Sequence, residues 1–421
     1  MNQSRIKPIV KTNHPLRFAL IGLGVLAVII GILGILRIGS FFNRIQTTTK
    51  GTPTPTPLVE KTEYTFLLLG YGGGRHEGTY LTDSIMVLNF DTKTNKALLI
   101  SLPRDLWVQV PMKSEESFST KINAVYQMSL FPKQYPNIDP TYQDEENPSK
   151  LLAYVVKDVT GLTVDAYVSI DFEGFTQAID TLGGITVNVE RSFVDYEYPI
   201  EEKMNDLCER DEEFAQIEPI INKTMTEEDQ EKLFAEKPEL KEFVTDIKEH
   251  PVKAFPCRYE ELRFEKGLVE MDGETALKFA RSRHALGDGG DFNRAKRQQQ
   301  VIDSAKDKVL SIGFIPKIIP LLNDLEEHIA TDLPLSEMQK LLKESLEAGS
   351  YTTQSFVLSD TYVADSYSPA GGYILVPKNT AGSWKDIREA IQFARLGITP
   401  TPTPKPNPSF TPKITQKVKT P

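Results

Sequence analysis

Histidine and cysteine are scarce, five and two among 421 residues, and the scarcity removes whole classes of chemistry. Cys208 and Cys257 make a poor zinc site, which needs four thiolate, imidazole or carboxylate ligands. No Walker loop or Rossmann fingerprint is present. The glycine-rich stretch Gly70-Tyr71-Gly72-Gly73-Gly74-Arg75 could cradle phosphates through backbone N–H groups, but it has neither spacing. There is no repeat beyond two Thr-Pro tracts. Long apolar runs are absent too, with one exception, Phe18 to Leu36, 19 consecutive apolar or glycine residues. As a helix rising about 1.5 Å per residue it nearly crosses a hydrocarbon core of about 30 Å. A cleaved signal peptide needs a shorter stretch and a small-residue cleavage site, and Arg37 to Phe42 supplies neither. The run is therefore expected to be an uncleaved membrane helix. Arg5, Lys7, Lys11 and Arg17 precede it and Arg37, Arg44 and Lys50 follow, which places residues 1–17 in the cytoplasm by a small margin. These residues hold no DNA-reading motif, so nucleic acid is not expected as a partner.

The net charge of -10 is concentrated in one stretch. Asp195 to Glu261 holds 21 Asp/Glu against 9 Lys/Arg, so the remainder of the chain carries about +2. Within that remainder, Lys278 to Arg297 gathers six Lys/Arg against Asp288 and Asp291. An anionic ligand is expected there. Both cysteines fall in the acidic stretch, and an extracytoplasmic location permits a disulfide closing it.

Thr52 to Pro57 lies in a linker spanning 37–62, and Thr399 to Pro404 opens a tail spanning 397–421. Proline-rich tracts of this kind are extended spacers. Between them, residues 63–396 read as one domain. Tyr64 to Gly70, Asp83 to Phe90 and Lys96 to Leu102 are predicted strands. Lys150 to Val159, Phe172 to Leu182, Glu274 to Ala280 and Phe292 to Leu310 have helical periodicity, with Ile185 to Val189 a strand among them. Ser355 to Leu358 and Tyr373 to Val376 are strands expected to complete the same sheet. One amphipathic helix is expected beyond Leu335 and a short one from Ser383. The fold class is α/β, three layers with a mixed central sheet. The acidic stretch shows no strand alternation. It is read as a mostly helical insertion with helices at Glu227 to Ala235 and Pro238 to Lys248, a solvated decoration in preference to a lid.

Phe279-Ala280-Arg281-Ser282-Arg283-His284 leads into Asp288, Asp291 and Arg294-Ala295-Lys296-Arg297-Gln298-Gln299. If the first piece is extended, Arg281 and Arg283 point the same way. On the following helix Arg294, Arg297 and Gln298 share a face. Converging guanidinium forks suit phosphate oxygens; an ordinary solvated basic helix is the alternative. Arg104, in Ser101-Leu102-Pro103-Arg104-Asp105 at a strand end, is a further phosphate contact or a surface ion pair. Asp83, in Leu81-Thr82-Asp83-Ser84, could hold a divalent cation or cap a strand.

Together with Lys121-Ile122-Asn123-Ala124-Val125-Tyr126, Asp171-Phe172-Glu173-Gly174-Phe175 and Leu182-Gly183-Gly184-Ile185, these motifs in this order resemble the LytR-CpsA-Psr family over Tyr64 to Leu310. The resemblance implies an α/β/α domain with an apolar tunnel for a polyprenyl chain and an arginine-lined mouth for its pyrophosphate. It implies a phosphotransferase that moves a glycopolymer from that carrier to peptidoglycan, with pyrophosphatase activity if water replaces the acceptor; the alternative is a non-catalytic carrier-binding or sensing protein. Arg104, Arg281, Arg283, Arg294, Arg297 and Gln298 would bind the pyrophosphate. Asp83 would coordinate magnesium, and Asp105 is the suggested proton acceptor. Lys121 and Asn123 match a motif without a firm role. Two positions depart from the family pattern: Gly72 stands where a second metal-binding aspartate is usual, and Leu81 where an arginine is usual. Arg75 is a candidate replacement for the missing positive charge.

Overall fold

Strand alternation builds the centre of the molecule. In β1 (Glu63–Tyr71), β2 (Thr82–Asp91) and β3 (Lys96–Leu102), side chains point by turns to opposite faces. The register places Leu67 beside Val87, Leu69 beside Ile85 and Val87 beside Ile100. These buried residues share one face. The structure, a computed structural model, describes Ser40, Arg44 and residues 61–398, except 75–78, 115–117, 145–146, 310–324, 335, 338–339, 342–343, 345–350 and 380–381. Phe18 to Leu36 and Arg75 lie outside the described residues, as does most of the helix expected beyond Leu335. Among the described residues no helix is long and apolar enough to cross a membrane.

After β3 the chain runs through a hairpin of β4 (Trp107–Val110) and β5 (Phe118–Lys121) into helices α1 (Val125–Leu130) and α2 (Lys150–Thr160). It then enters the sheet beside β1, in parallel, as β6 (Ala166–Asp171). Leu151, Leu152, Val155, Val156 and Val159 form a stripe on α2 that covers the first face of the sheet. Next come α3 (Phe172–Leu182), β7 (Ile185–Val189) and β8 (Phe193–Pro199), then four helices, α4 (Asp211–Ile221), α5 (Glu227–Glu236), α6 (Pro238–Glu249) and α7 (Pro251–Ala254). Strands β9 (Tyr259–Phe264) and β10 (Gly267–Met271) return to pair with β8 and β7. Helices α8 (Gly273–Arg281) and α9 (Asp291–Val309) follow. Strands β11 (Ile329–Thr331) and β12 (Thr352–Val357) complete the sheet, a hairpin of β13 (Val363–Tyr367) and β14 (Tyr373–Pro377) comes next, and α10 (Lys385–Leu396) packs beside α2. The six-stranded sheet has the order β11-β6-β1-β2-β3-β12 and mixes parallel with antiparallel pairs.

Two of the family-like motifs owe their residues to local geometry. Asp171 caps α3, its Oδ1 accepting from Gly174 N at 2.8 Å. Gly183, at φ +79°, ends that helix in the left-handed conformation that glycine adopts without strain. Glycine is also required at Gly273, where a Cβ would lie 2.2 Å from Thr176 O. That close approach seats α8 on α3.

Three expectations need correction. Tyr373 to Val376 is a strand, but it pairs with β13 in a separate hairpin, because the five-residue turn between them makes that the nearest partner; only the segment beginning at Thr352 joins the sheet. The acidic stretch is helical in its middle, yet its two ends are the antiparallel strands β8 and β9. Phe279 to Arg281 is not extended. It is the last turn of α8, and the chain straightens only at Ser282 (ψ 133°).

Candidate functional site

Among the described residues, the second face of the sheet is only partly covered. Cross-strand neighbours Leu68, Met86 and Val168, with Ile170 one row along, point from β1, β2 and β6 toward α3, α8 and α9. Phe172, Phe175, Leu277, Val301 and Ile302 face them from the helices. Between the two layers lies a cavity of about 570 Å³, within the roughly 300–1,000 Å³ span usual for ligand sites.

Its wall also carries Asp83, Arg104, Arg281, Arg283, Arg294 and Gln298. Arg104 and three guanidinium groups from the segment Arg281 to Arg294 therefore converge beside apolar surface. Arg294 is 5% exposed; burial pulls its guanidinium down to about 10, with Asp291 opposing that fall and the cations Arg283 and Arg104 adding to it. Asp291 bridges the group, its Oδ1 3.1 Å from both Arg283 Nε and Arg294 Nη2. Burial pushes the Asp291 carboxyl up, but Arg294, Arg283 and Arg104 outweigh it and hold the group below the usual carboxylate range. Arg281 stacks on the Phe172 ring at 4.2 Å and donates to Glu201 Oε1 at 2.5 Å. Arg104 pairs with Asp83. Burial lowers the Arg104 guanidinium, and the neighbouring Asp83, then Asp105 and Asp291, reverse the shift and raise it.

Two site residues named from the sequence lie elsewhere. Arg297 is 2% exposed and does not line the cavity. The carbonyls at the C-terminal end of α8 capture it: Nε donates to Phe279 O at 3.0 Å, Nη2 donates to Ser282 O, and Nη1 meets the Asp288 carboxylate at 2.8 Å. Those carbonyls lack intrahelical donors and sit at the negative end of the helix dipole, so a guanidinium is their natural partner. Asp105 is 4% exposed, bonded to Lys121 Nζ at 2.6 Å and lying 3.7 Å from Arg104 Nε, behind the arginine and away from the cavity. This gives Lys121 a partner and leaves Asp105 poorly placed to take a proton from a bound hydroxyl. Asn123 acts through its backbone, donating to Arg104 O and accepting from Thr82 Oγ1.

The sequence reading missed Asp291, Glu201, Glu197 and His284 as members of the site. Glu197, Tyr198, Pro199, Met204 and Tyr259 line the cavity from the root of the insertion. The root is thus part of the wall, while α4 to α7 form their own core around Ile217, Leu240, Phe243 and Phe255. Cys208 and Cys257 are joined in a disulfide there.

Among the described residues no group of three carboxylate, imidazole or thiolate ligands gathers around Asp83. Asp83 is engaged by Arg104, Asp171 by the α3 cap and by His328 at 3.0 Å, and Asp195 by Ser282 Oγ at 2.6 Å. Gly72 offers no side-chain donor. Among the described residues the one cluster of potential ligands is Asp206, Cys208 and Cys257, and its sulfurs are bonded to each other.

Among curated proteins, the chain is 24% identical over 283 residues to the polyisoprenyl-teichoic acid–peptidoglycan teichoic acid transferase TagU of Oceanobacillus iheyensis, covering 67% of this chain and 63% of the relative. It is 25% identical to TagV of Bacillus subtilis, a transferase of the same name, over 76% of this chain and 61% of that one. The chain thus spans less than two thirds of the length of these relatives. The crystal structure of Bacillus subtilis TagV aligns with a TM-score of 0.49 at 23% identity, covering 81% of this chain and 100% of the other. The model of the LytR_cpsA_psr family matches residues 42–383, far more than half the chain, and the protein belongs to that family.

Proposed function

We propose that this protein is a membrane-anchored, extracytoplasmic transferase that moves a glycopolymer from a polyprenyl-pyrophosphate carrier to peptidoglycan. One observation carries the reading: an apolar cavity and four cavity-facing arginines meet in a single site. The apolar part suits an isoprenoid chain, and the arginines suit two phosphates in series. The relatives' names point to the same chemistry. The 19-residue apolar run Phe18 to Leu36 would hold the domain at the outer membrane surface, where such a carrier is presented.

In this mechanism an acceptor hydroxyl attacks the sugar-bearing phosphorus in line, and the lipid phosphate leaves with the bond's electrons. Little covalent work is asked of the protein. Positioning and charge neutralisation dominate. Arg104, Arg281, Arg283 and Arg294 would take the phosphate oxygens, with Gln298 beside them. Before substrate arrives each cation has a carboxylate partner, since a buried unpaired charge is costly. The diphosphate would displace Asp83 from Arg104 and Glu201 from Arg281. Asp83 alone fits at most a magnesium ion that arrives with the phosphates, and no step here depends on one.

The test uses the full chain in detergent with a polyprenyl-pyrophosphate glycan and peptidoglycan. Coupled product with release of lipid phosphate, lost in Arg104→Ala, is the expected result. Tight binding of the donor with neither product would favour a carrier-binding or sensing protein.

A further inference from the structure

Transfer as proposed above requires a group to accept the hydroxyl proton. Asp105 is buried behind Arg104, Asp83 is held by Arg104, and Asp171 caps a helix. A different pair faces the cavity: Glu197 and His284. Strand β8 breaks register between Asp195 and Tyr198, and such a bulge re-aims a side chain. Asp195, 1% exposed, sets both members of the pair. Its Oδ1 accepts from Glu197 N at 3.0 Å and its Oδ2 from His284 N at 3.3 Å. Glu197 Oε2 then lies 3.2 Å from His284 Nδ1. The carboxylate stands beside Nδ1, at the half-exposed mouth of the cavity, and a proton on Nδ1 is favoured there, which leaves Nε2 as the basic nitrogen. Among the described residues Nε2 has no hydrogen-bond partner, and His284 directly follows Arg283, which lines the same cavity.

We propose that His284 is the general base of the transfer reaction and that Glu197 is its positioning residue. His284 Nε2 takes the proton from the acceptor hydroxyl as its oxygen bonds to the sugar-bearing phosphorus. The bridging P–O bond breaks, the lipid phosphate leaves with the electron pair, and the imidazolium returns its proton to that phosphate or to water. The charged groups that bear on the imidazole are Glu197 and Asp195 from β8 and Arg283 from its own segment. The assignment rests on the transferase reading, and it also gives the insertion a part in catalysis, because Glu197 belongs to its root.

The experiment measures single-turnover transfer by the full chain, with donor affinity measured separately by titration with a polyprenyl pyrophosphate. His284→Ala is expected to lower the transfer rate by about 10²-fold or more, with donor affinity retained. The ascending limb of the wild-type pH–rate profile disappears in this variant, and added imidazole restores part of the rate. Glu197→Gln shows a smaller loss of rate, with donor affinity retained. Wild-type transfer rates in His284→Ala would overturn the proposal, as would a parallel loss of donor affinity or the absence of imidazole rescue. Failure of the wild-type chain to transfer at any pH would refute the transferase reading itself.

Discussion

Arg104 is held from two sides, by Asp83 at the cavity and Asp105 behind it. Asp105→Asn should therefore slow transfer through a displaced guanidinium, by about tenfold or more, while leaving the shape of the pH–rate profile unchanged. A lost ascending limb in that variant would make Asp105 the base instead. Asp291 has a structural duty of the same kind. Removing it leaves Arg283 and Arg294 facing each other, one of them 5% exposed, so Asp291→Ala should cost about 3 kcal/mol in urea unfolding. Because its folded carboxyl lies below the ordinary 3.8, the stability it contributes is present above that value and is lost as pH falls through the lower folded one. Acid titration of wild type against Asp291→Asn should show the two curves converging only below pH 3.8. The arginines of the site were legible in the sequence because a dense basic window is rare and chemically pointed. Arg297 was misread for a physical reason: helical spacing places it near Arg294 and Gln298, and only the carbonyls at the end of another helix decide that it turns inward.

At the level of elements, the insertion divides into two parts with different duties. Its root strands β8 and β9 carry Glu197, Tyr198 and Tyr259 into the cavity wall, and Glu260 pairs with Lys278 at 2.8 Å. Its helices pack around a separate core closed by the bond between Cys208 and Cys257, 49 residues apart. Closing a loop of that length constrains the unfolded chain by about 4 kcal/mol at most. The double variant Cys208→Ser/Cys257→Ser should accordingly lower the melting temperature of the helical lobe, read by hydrogen exchange, while donor binding is retained. If donor binding fails together with the lobe, the helices are part of the site. Two of the four insertion helices, α5 and α6, were expected from the sequence and α4 and α7 were not; α5 is capped by Thr226, whose side chain accepts from Asp229 N. The root strands were not expected either, because β8 is broken by its bulge and borders charges that mask alternation.

Across the whole molecule, function depends on a gap left between two layers. Among the described residues, the sheet's first face is covered by α2 and α10, and the second meets α3, α8 and α9 without filling the space. Val301→Trp or Ile302→Trp would fill about a side chain's worth of that cavity. Affinity for a long polyprenyl pyrophosphate should fall by about tenfold or more, as the loss of one or two buried methylenes' contacts would give, while a short-chain isoprenyl diphosphate binds as before. Equal losses for both would place the lipid elsewhere. The same geometry bears on the metal. Calorimetric titration of magnesium into the ligand-free protein should give no saturable heat below the millimolar range, because Asp83 is already paired and Gly72 adds no carboxylate.

By itself the sequence determined what depends on neighbours a few residues away. Alternation set the strands from Tyr64 to Leu102, and the cap at Asp171 and the glycine at Gly183 set the ends of α3. Basic clustering at Lys278 to Arg297 marked the site's chemistry. Tertiary structure alone decided which cations share a cavity, that Asp105 and Lys121 stand behind Arg104, and that a carboxylate from the insertion meets His284. Contacts between residues tens of positions apart are fixed by how layers pack, and no local period or spacing along the chain encodes that distance.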